Sequence, residues 1–238
     1  MVKQFVNTHL VLAGLLLALV AGLMVAVTGT ALANNRAQRS EAPVYWSWDF
    51  MDGNTSNPAG TSTLVRSANG ISANYRSEGL RPDNAMTLWF IVFNYPDLCT
   101  PDQGGCSPDD LGSAAAAQGD FLVASGNVIG ASGIGNFGGH LNVGDASGSG
   151  LAEMLCPETM DCTPGLLNLD GALVVLAIHD HGPKQTGQTL QEQLSSFLGG
   201  CVGAFNGNEF GFATGPEDIP DADGECSTIQ FSPHPPND

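Results

Sequence analysis

Two long apolar runs constrain the fold of this chain more than any other feature of its sequence. Residues 86–94 read MTLWFIVFN and residues 171–181 read GALVVLAIHDH, and turn-forming residues lie near both runs. A short run that is apolar on both faces is typical of a strand buried at the centre of a sheet. The sequence therefore predicts two central strands.

Shorter alternating runs predict the strands around them. Residues 62–77 read STLVRSANGISANYRS, in which Asn69 and Gly70 favour the turn of a β-hairpin because both tolerate a positive φ. Residues 120–145 predict two strands joined by a glycine-rich turn, and residues 226–234 predict a last strand. We therefore expect an all-β fold, mainly an antiparallel β-sandwich or open barrel.

One segment in the C-terminal half departs from the β pattern. Residues 189–198 carry apolar side chains at helical spacing, and Thr189 and Glu192 have the spacing of a capping box. Gly199 and Gly200 follow as a helix stop. The sequence thus predicts one short α-helix among long loops.

Six cysteines predict how those loops are held together. An even number of cysteines in an exported chain is typical of disulfides rather than of a zinc site, and no CxxC pair occurs. Two pairs lie in short loops where a local bridge needs little distortion, and the third pair follows by elimination. The predicted bridges are Cys99–Cys106, Cys156–Cys162 and Cys201–Cys226.

The start of the chain predicts export. Residues 10–27 are an unbroken run of apolar residues and glycine, and residues 31–33 read Ala-Leu-Ala, the small-x-small pattern at which signal peptidase cleaves. We predict a secretory signal peptide over residues 1–33, with an uncleaved membrane anchor as the alternative. A flexible leader (34–42) and a single β-rich domain (43–238) would follow, in a protein that is secreted, periplasmic or held at the cell surface.

The charge of the chain excludes two classes of partner. It has 24 acidic residues against 7 basic ones, a net charge of −17, and Lys184 is the only basic residue after Arg81. Nucleic acids and anionic membrane surfaces are bound largely through Lys and Arg that displace counterions. We therefore expect neither, and predict instead an extracellular protein or a small molecule as the ligand.

Two histidines end the second central strand. His179 and His181 are two residues apart, so a strand directs both imidazoles to one face. A zinc or copper site needs further ligands, and the histidines available in the predicted domain are His140 and His234, which also lie at predicted strand ends. The alternative is that both imidazoles only hydrogen-bond neighbouring loops.

Other constellations are weaker. Asp221, Asp223 and Glu225 alternate around Gly224 like half of a calcium loop, but Ile219 stands where such a loop begins with Asp, and no bidentate Glu follows at its end. A solvated acidic turn is therefore the favoured interpretation. The sequence has no GxSxG nucleophile motif, and its cysteines are predicted to be oxidised. We therefore assign no catalytic residue.

An ordered series of short motifs resembles a family of exported bacterial proteins to which no activity is assigned. The resemblance covers most of the chain after residue 33 and implies no activity. The series consists of Gly79-Leu80-x-Pro82, Thr87-Leu88-Trp89, Val92-Phe93-Asn94-x-Pro96, Cys99, Cys106, His179-x-His181-Gly182-Pro183, Gln193, Gly199-Gly200-Cys201, Cys226, Gln230-Phe231 and His234.

The HxHxG-like stretch is also distantly similar to chordin-type domains and to copper/zinc superoxide dismutases, which are β-sandwiches. Asp180 stands where those strands place an aliphatic residue, and the bridging histidine of the dismutases has no counterpart here. The resemblance therefore implies a sandwich but not dismutase activity.

These observations predict a secreted, acidic, disulfide-stabilised β-sandwich that acts as an extracellular binding or structural module rather than as an enzyme. The alternative is a metalloprotein that holds copper or zinc at His179 and His181 for redox or hydrolytic chemistry.

Overall fold

One antiparallel sheet of eight strands forms the frame of the protein. The computed structural model describes residues 37–100, 106–154, 162–202, 205–208 and 210–237. The strands follow the order β5-β4-β7-β8-β1-β2-β3-β6, and contacts between the two end strands curl the sheet into a nearly closed barrel. Their bounds are β1 Gln38–Trp46, β2 Gly60–Ser67, β3 Gly70–Ser77, β4 Asn84–Phe93, β5 Gly119–Val128, β6 Gly135–Asn142, β7 Leu173–Pro183 and β8 Ser227–His234.

The predicted all-β fold is confirmed, and the two apolar runs are adjacent strands, β4 and β7. The hairpin at Asn69 and Gly70 joins β2 to β3, and residues 120–145 contain β5 and β6. These elements follow from local sequence because strand period and turn chemistry act over only a few residues.

The two faces of β7 contact different layers. Val174, Leu176 and Ile178 point into the barrel, where they belong to the main core. Ala177 and the partly buried Val175 point outward into a second apolar cluster, which loops cover. Burial on both faces explains why this strand lacks the polar alternation of β2.

Three short helices are found in the described residues where the sequence predicted one: α1 (Ser47–Met51), α2 (Gly150–Met154) and α3 (Gly187–Gln193). The helix predicted over 189–198 starts earlier and ends five residues sooner. Its end is set by tertiary contacts, because the chain must then cross β5. There the backbone of Leu194 lies where a side chain at Gly126 would have to be.

The N-terminal prediction needs one correction. Residues 38–42, predicted to belong to a flexible leader, are part of β1 and pair with β2. Polar side chains suit this strand because many of them face solvent. The predicted signal peptide, residues 1–33, lies outside the described residues, and residues 37–238 cluster as a single unit.

Disulfides hold the loops, as predicted. Cys99 is bonded to Cys106, and Cys201 to Cys226. Cys162 is also disulfide-bonded, whereas Cys156, its predicted partner, lies outside the described residues. Such bridges indicate an oxidising environment. In the part of the chain that the structure describes, no helix has the length and apolar character needed to cross a membrane.

Candidate functional site

The two histidines at the end of β7 lie side by side on its outer face. Their ring centroids are 4.7 Å apart with the rings nearly perpendicular, and both side chains are fully buried. Asp180, between them, points to the other side, where its carboxylate accepts hydrogen bonds from the Asn84 amide at 2.9 and 3.0 Å. The strand therefore places both histidines on one face, as predicted.

A loop after α3 covers the pair. Phe197 stacks on His179 with ring centroids 4.2 Å apart, and Phe205 meets the same imidazole at 5.6 Å. The carboxylate of Glu153 on α2 accepts hydrogen bonds from the backbone N–H groups of Phe197 and Leu198, at 2.9 and 3.1 Å. Helix α2 thus holds the covering loop in place over the two histidines.

His181 has a defined proton position. Its Nδ1 lies 2.8 Å from the carbonyl of Gly199, which can only accept, so Nδ1 carries the proton. Nε2 then accepts from the hydroxyl of Thr87 at 2.9 Å, and Thr87 Oγ1 in turn accepts from Trp89 Nε1 at 2.6 Å. Every polar atom of this ring has a partner.

His179 is different, because one of its nitrogens has no hydrogen-bond partner. Nδ1 lies 3.0 Å from Thr228 Oγ1, but the buried Nε2 makes no hydrogen bond. Thr228 reaches the outer face through a β-bulge, since the register of β7 with β8 shifts between Ile178 and His179. An unpartnered buried nitrogen costs about 1–3 kcal/mol, so its retention calls for an explanation.

Burial keeps both imidazoles neutral. It lowers the pKa of His179 well below its usual range; the neighbouring His181 acts in the same direction, and the backbone of Phe197 acts in the opposite one. Burial lowers the pKa of His181 to about 4. Burial raises the pKa of Asp180 to about 7. Neutral imidazole is the form that binds metal ions. Near pH 7 both rings are already neutral, so neither has to lose the extra proton of an imidazolium before it binds a metal ion.

The Cys201–Cys226 disulfide completes the cluster. One ligand atom from each of His179, His181, Cys201 and Cys226 lies within 4.8 Å of the other three. Cys201 Sγ is 3.7 Å from His181 Nδ1. Imidazole nitrogen and cysteine sulfur are the ligands of tetrahedral zinc and of copper(I), although a disulfide sulfur is not a thiolate.

His234 does not join this group. It lies inside the opposite end of the β7–β8 pair, where the register sets it against Val174, five residues or about 17 Å along β7 from His179. Its ring nitrogens lie 2.8 and 2.7 Å from the hydroxyls of Ser40 and Ser62. Burial, with Arg66 acting in the same direction, lowers its pKa to about 4.

His140 is also elsewhere. It is exposed on β6, where it lies 2.8 Å from the hydroxyl of Ser72 on β3, and β4 and β5 separate it from β7. The expectation that histidines from several strand ends would converge is therefore not met by His140 or His234. Cysteines from two loops take their place.

The acidic residues of the predicted calcium loop are engaged with their own surroundings. Glu225 accepts hydrogen bonds from the backbone N–H groups of Asp221 and Ala222, and Asp221 faces Arg81 at 3.4 Å. Across the described residues, the only group of metal-ligand atoms is the His/Cys cluster, which includes neither these two residues nor Asp223.

Sequence reasoning missed three parts of the site: Thr87, Thr228 and the position of the Cys201–Cys226 bridge beside the histidines. The bridge itself was predicted, but its neighbours depend on how the loops fold over β7. The only signal in the sequence was that Thr87, His181, Cys201 and Cys226 all belong to the same ordered motif series.

No protein-family model, curated protein or solved structure matches this chain. The resemblances to exported bacterial proteins and to dismutase-like sandwiches therefore stay predictions, and no function can be transferred from another protein.

Proposed function

We propose that this protein is an exported metal-binding module that takes up zinc or copper at His179 and His181. The unpartnered Nε2 of His179 carries the proposal: it is buried, and His179 supplies one of four ligand atoms that lie within 4.8 Å of one another. A bound metal ion would give this nitrogen the partner it lacks.

The hydrogen bonding of His179 supports this role. A metal-bound histidine usually donates its other ring N–H to an oxygen, which fixes the ring. Here Nδ1 faces Thr228 Oγ1 at 3.0 Å, so a proton on Nδ1 leaves the lone pair of Nε2 free for a metal. The stacked ring of Phe197 keeps water away and strengthens the electrostatic attraction between ligand and ion.

The fold supports an exported setting. Disulfides are stable in oxidising compartments, and the acidic chain disfavours nucleic-acid or anionic-lipid ligands. Together with the signal-like residues 1–33, these features support secretion, a periplasmic location or display at the cell surface.

Metal titration of the full chain tests the proposal. Zinc and copper(I) affinities are measured by competition with a chromophoric chelator, in the oxidised and the reduced protein. We expect His179→Ala and His181→Ala each to lower the affinity at least tenfold. The exposed His140→Ala is the control and should leave it unchanged. If neither redox state retains zinc or copper, the proposal is wrong.

A second binding role is supported by an apolar patch on the surface, which we define as Phe50, Met51 and Phe210. These residues are 37%, 43% and 39% exposed, and Asn208, in the loop that carries Phe210, contacts Met51 Sδ at the end of α1. Half-exposed aromatic residues are frequent at protein-binding surfaces. The predicted extracellular binding module would contact its protein ligand here.

The patch can be tested with an environment-sensitive apolar dye. We expect Phe50→Ser combined with Phe210→Ser to abolish most of the dye fluorescence of the native protein. Leu98→Ser, which removes a different exposed apolar side chain, is the control. Equal dye binding by the double variant and the wild type would refute a binding surface at this position.

A further inference from the structure

We infer that the Cys201–Cys226 disulfide is a redox gate on the metal site: reduction supplies two thiolates that complete a His₂Cys₂ zinc site, and oxidation releases the ion. This inference rests on the proposed function, and it adds the regulation of that site. It follows from the position of both sulfurs among the same four ligand atoms as the two imidazole nitrogens.

The bridge and the metal exclude one another on geometric grounds. The sulfurs of any disulfide are about 2.0 Å apart. Two thiolates on one zinc, each about 2.3 Å from the ion, are about 3.7 Å apart. The same cysteines therefore cannot be bridged and hold zinc at once. On reduction the two sulfurs must move apart by about 1.7 Å to reach tetrahedral spacing. The widest separations in the cluster, at most 4.8 Å, must contract by about 1 Å.

Charge favours a divalent ion such as zinc over copper(I) in the reduced site. Two thiolates balance the two positive charges of Zn²⁺, and two neutral imidazoles add none. The complex is then neutral, which suits surroundings made of Trp89, Phe197 and Phe205. Copper(I) with both thiolates would leave one uncompensated negative charge in the same apolar cluster, at a desolvation cost.

Thr87 allows His181 to change its tautomer. The Nδ1 proton now bonds the Gly199 carbonyl, yet Nδ1 is the atom 3.7 Å from Cys201 Sγ. Moving the proton to Nε2 frees Nδ1 for the ion, and Nε2–H then donates to Thr87 Oγ1. A hydroxyl can serve either direction, because it both donates and accepts.

The reduction step is accessible from one side. Cys201 is partly exposed and is followed by Val202, which is 82% exposed, whereas Cys226 is buried. The thiolate of a small dithiol would attack Cys201 Sγ, releasing the Cys226 thiolate, and its second thiol would then displace Cys201. Two electrons pass from the dithiol to the bridge, leaving two protein thiols and an oxidised dithiol. Zinc binding by those thiols releases two protons.

Zinc and cobalt(II) binding to the full chain tests the gate. We expect the dithiol-reduced protein to bind zinc at least 100-fold more tightly than the oxidised protein, with about two protons released per ion. Cobalt(II) in the reduced protein should give a thiolate-to-metal charge-transfer band. Cys201→Ser with Cys226→Ser should lose both the band and the gain in affinity.

Two comparisons separate the outcomes. Cys99→Ser with Cys106→Ser removes a bridge far from the histidines in sequence and should leave the redox dependence intact. If His179→Ala lowers affinity but oxidised and reduced proteins bind zinc equally, the proposed function stands and the gate is wrong. If neither state binds, both fail.

Reduction could loosen the fold, so near-ultraviolet circular dichroism is recorded alongside binding. If the reduced protein loses its tertiary signal, stoichiometric zinc should restore it, because metal binding is then coupled to folding. Failure of zinc to restore the signal contradicts the gate.

Discussion

The imidazole of His179 lies nearly flat against the phenyl ring of Phe197, with centroids 4.2 Å apart and planes inclined by 24°. The Nε2 atom of this imidazole is buried and has no hydrogen-bond partner. The neighbouring His181, by contrast, is bonded through both of its ring nitrogens. If His179 serves to bind a metal ion and not to hold the fold, replacing it should lower the stability of the metal-free protein less than the same replacement of His181.

His179→Leu should change the stability of the oxidised, metal-free protein little, within about 1 kcal/mol, because removing the unpartnered nitrogen offsets the lost bond to Thr228. His181→Leu should cost about 2–4 kcal/mol, since it leaves the Thr87 hydroxyl and the Gly199 carbonyl without their partner. Urea denaturation measures both. Equal losses would show that His179 is held as a structural residue like His181.

The hydroxyl of Thr87 connects Trp89 to His181, because it hydrogen-bonds both side chains. Thr87→Val keeps the shape but leaves Trp89 Nε1 and His181 Nε2 without a partner, so we expect a loss of about 2 kcal/mol. In the reduced protein, zinc affinity should fall 10- to 100-fold, as is usual when the partner of a ligand histidine is removed.

Thr87→Ser is the matched control for that substitution, because it retains the hydroxyl. It should keep most of the zinc affinity even where it lowers stability through the lost methyl group. A Thr87→Ser variant with the same zinc affinity as Thr87→Val would show that packing, not the hydroxyl, supports the site.

His234 predicts a pH dependence of stability. Its pKa is about 4 in the folded protein against about 6.5 when unfolded. Between these values the unfolded chain binds a proton that the folded chain does not, so the contribution is complete above pH 6.5 and is lost as the pH falls toward 4. The expected loss from this residue is about 3 kcal/mol.

The test compares urea midpoints of wild type and His234→Gln between pH 7 and 4. The variant should lose less stability across this window, while the exposed His140→Gln should follow the wild type. Asp180 acts in the opposite direction, because burial raises its pKa to about 7 and acidification then favours the folded state. The test therefore depends on the difference between variants in the stability lost from pH 7 to 4, not on the total loss in any one protein.

The strands could be predicted because their signals are local. The period of residues 62–77 and the Asn69-Gly70 turn specify a hairpin without reference to the remaining chain. The same period of two directs His179 and His181 to one face. The helix after β7 was predicted too long because its stripe continues to residue 198, whereas the buried side chain of Gln193 ties the helix end to the carbonyls of His181 and Pro183.

The composition of the site could not be predicted in the same way. Whether His234 lies near His179 depends on the register of β7 with β8. A strand that is buried on both faces has no polar alternation that would specify this register. The Cys201–Cys226 pairing could be inferred by counting, but its place beside His181 depends on the path of the loops. Contacts between residues that are far apart in the chain produce no periodic pattern in the sequence.

Arg66 also makes long-range contacts that the sequence alone does not reveal. This buried guanidinium donates hydrogen bonds to four carbonyls, which join β2 to the loop before β7 and to the end of the chain. The acceptors are the carbonyl oxygens of Leu169, Ala172, His234 and Pro235. Arg66→Lys keeps the charge but cannot reach all four from one position, so we expect a loss of about 2–4 kcal/mol.

Arg76→Lys is the control for Arg66→Lys, because Arg76 is exposed and pairs with the exposed Glu78, a contact worth less than about 1 kcal/mol. Urea denaturation at pH 7 measures both variants, and hydrogen exchange at the backbone amide of Asn237, which donates to the Asp170 carbonyl at 3.1 Å, reports whether the C-terminal segment is released. Arg66→Lys should speed exchange there, since its carbonyl anchors are lost while the β7–β8 pairing remains. A loss of stability no greater than that of Arg76→Lys would mean that strand pairing alone holds the end of the chain.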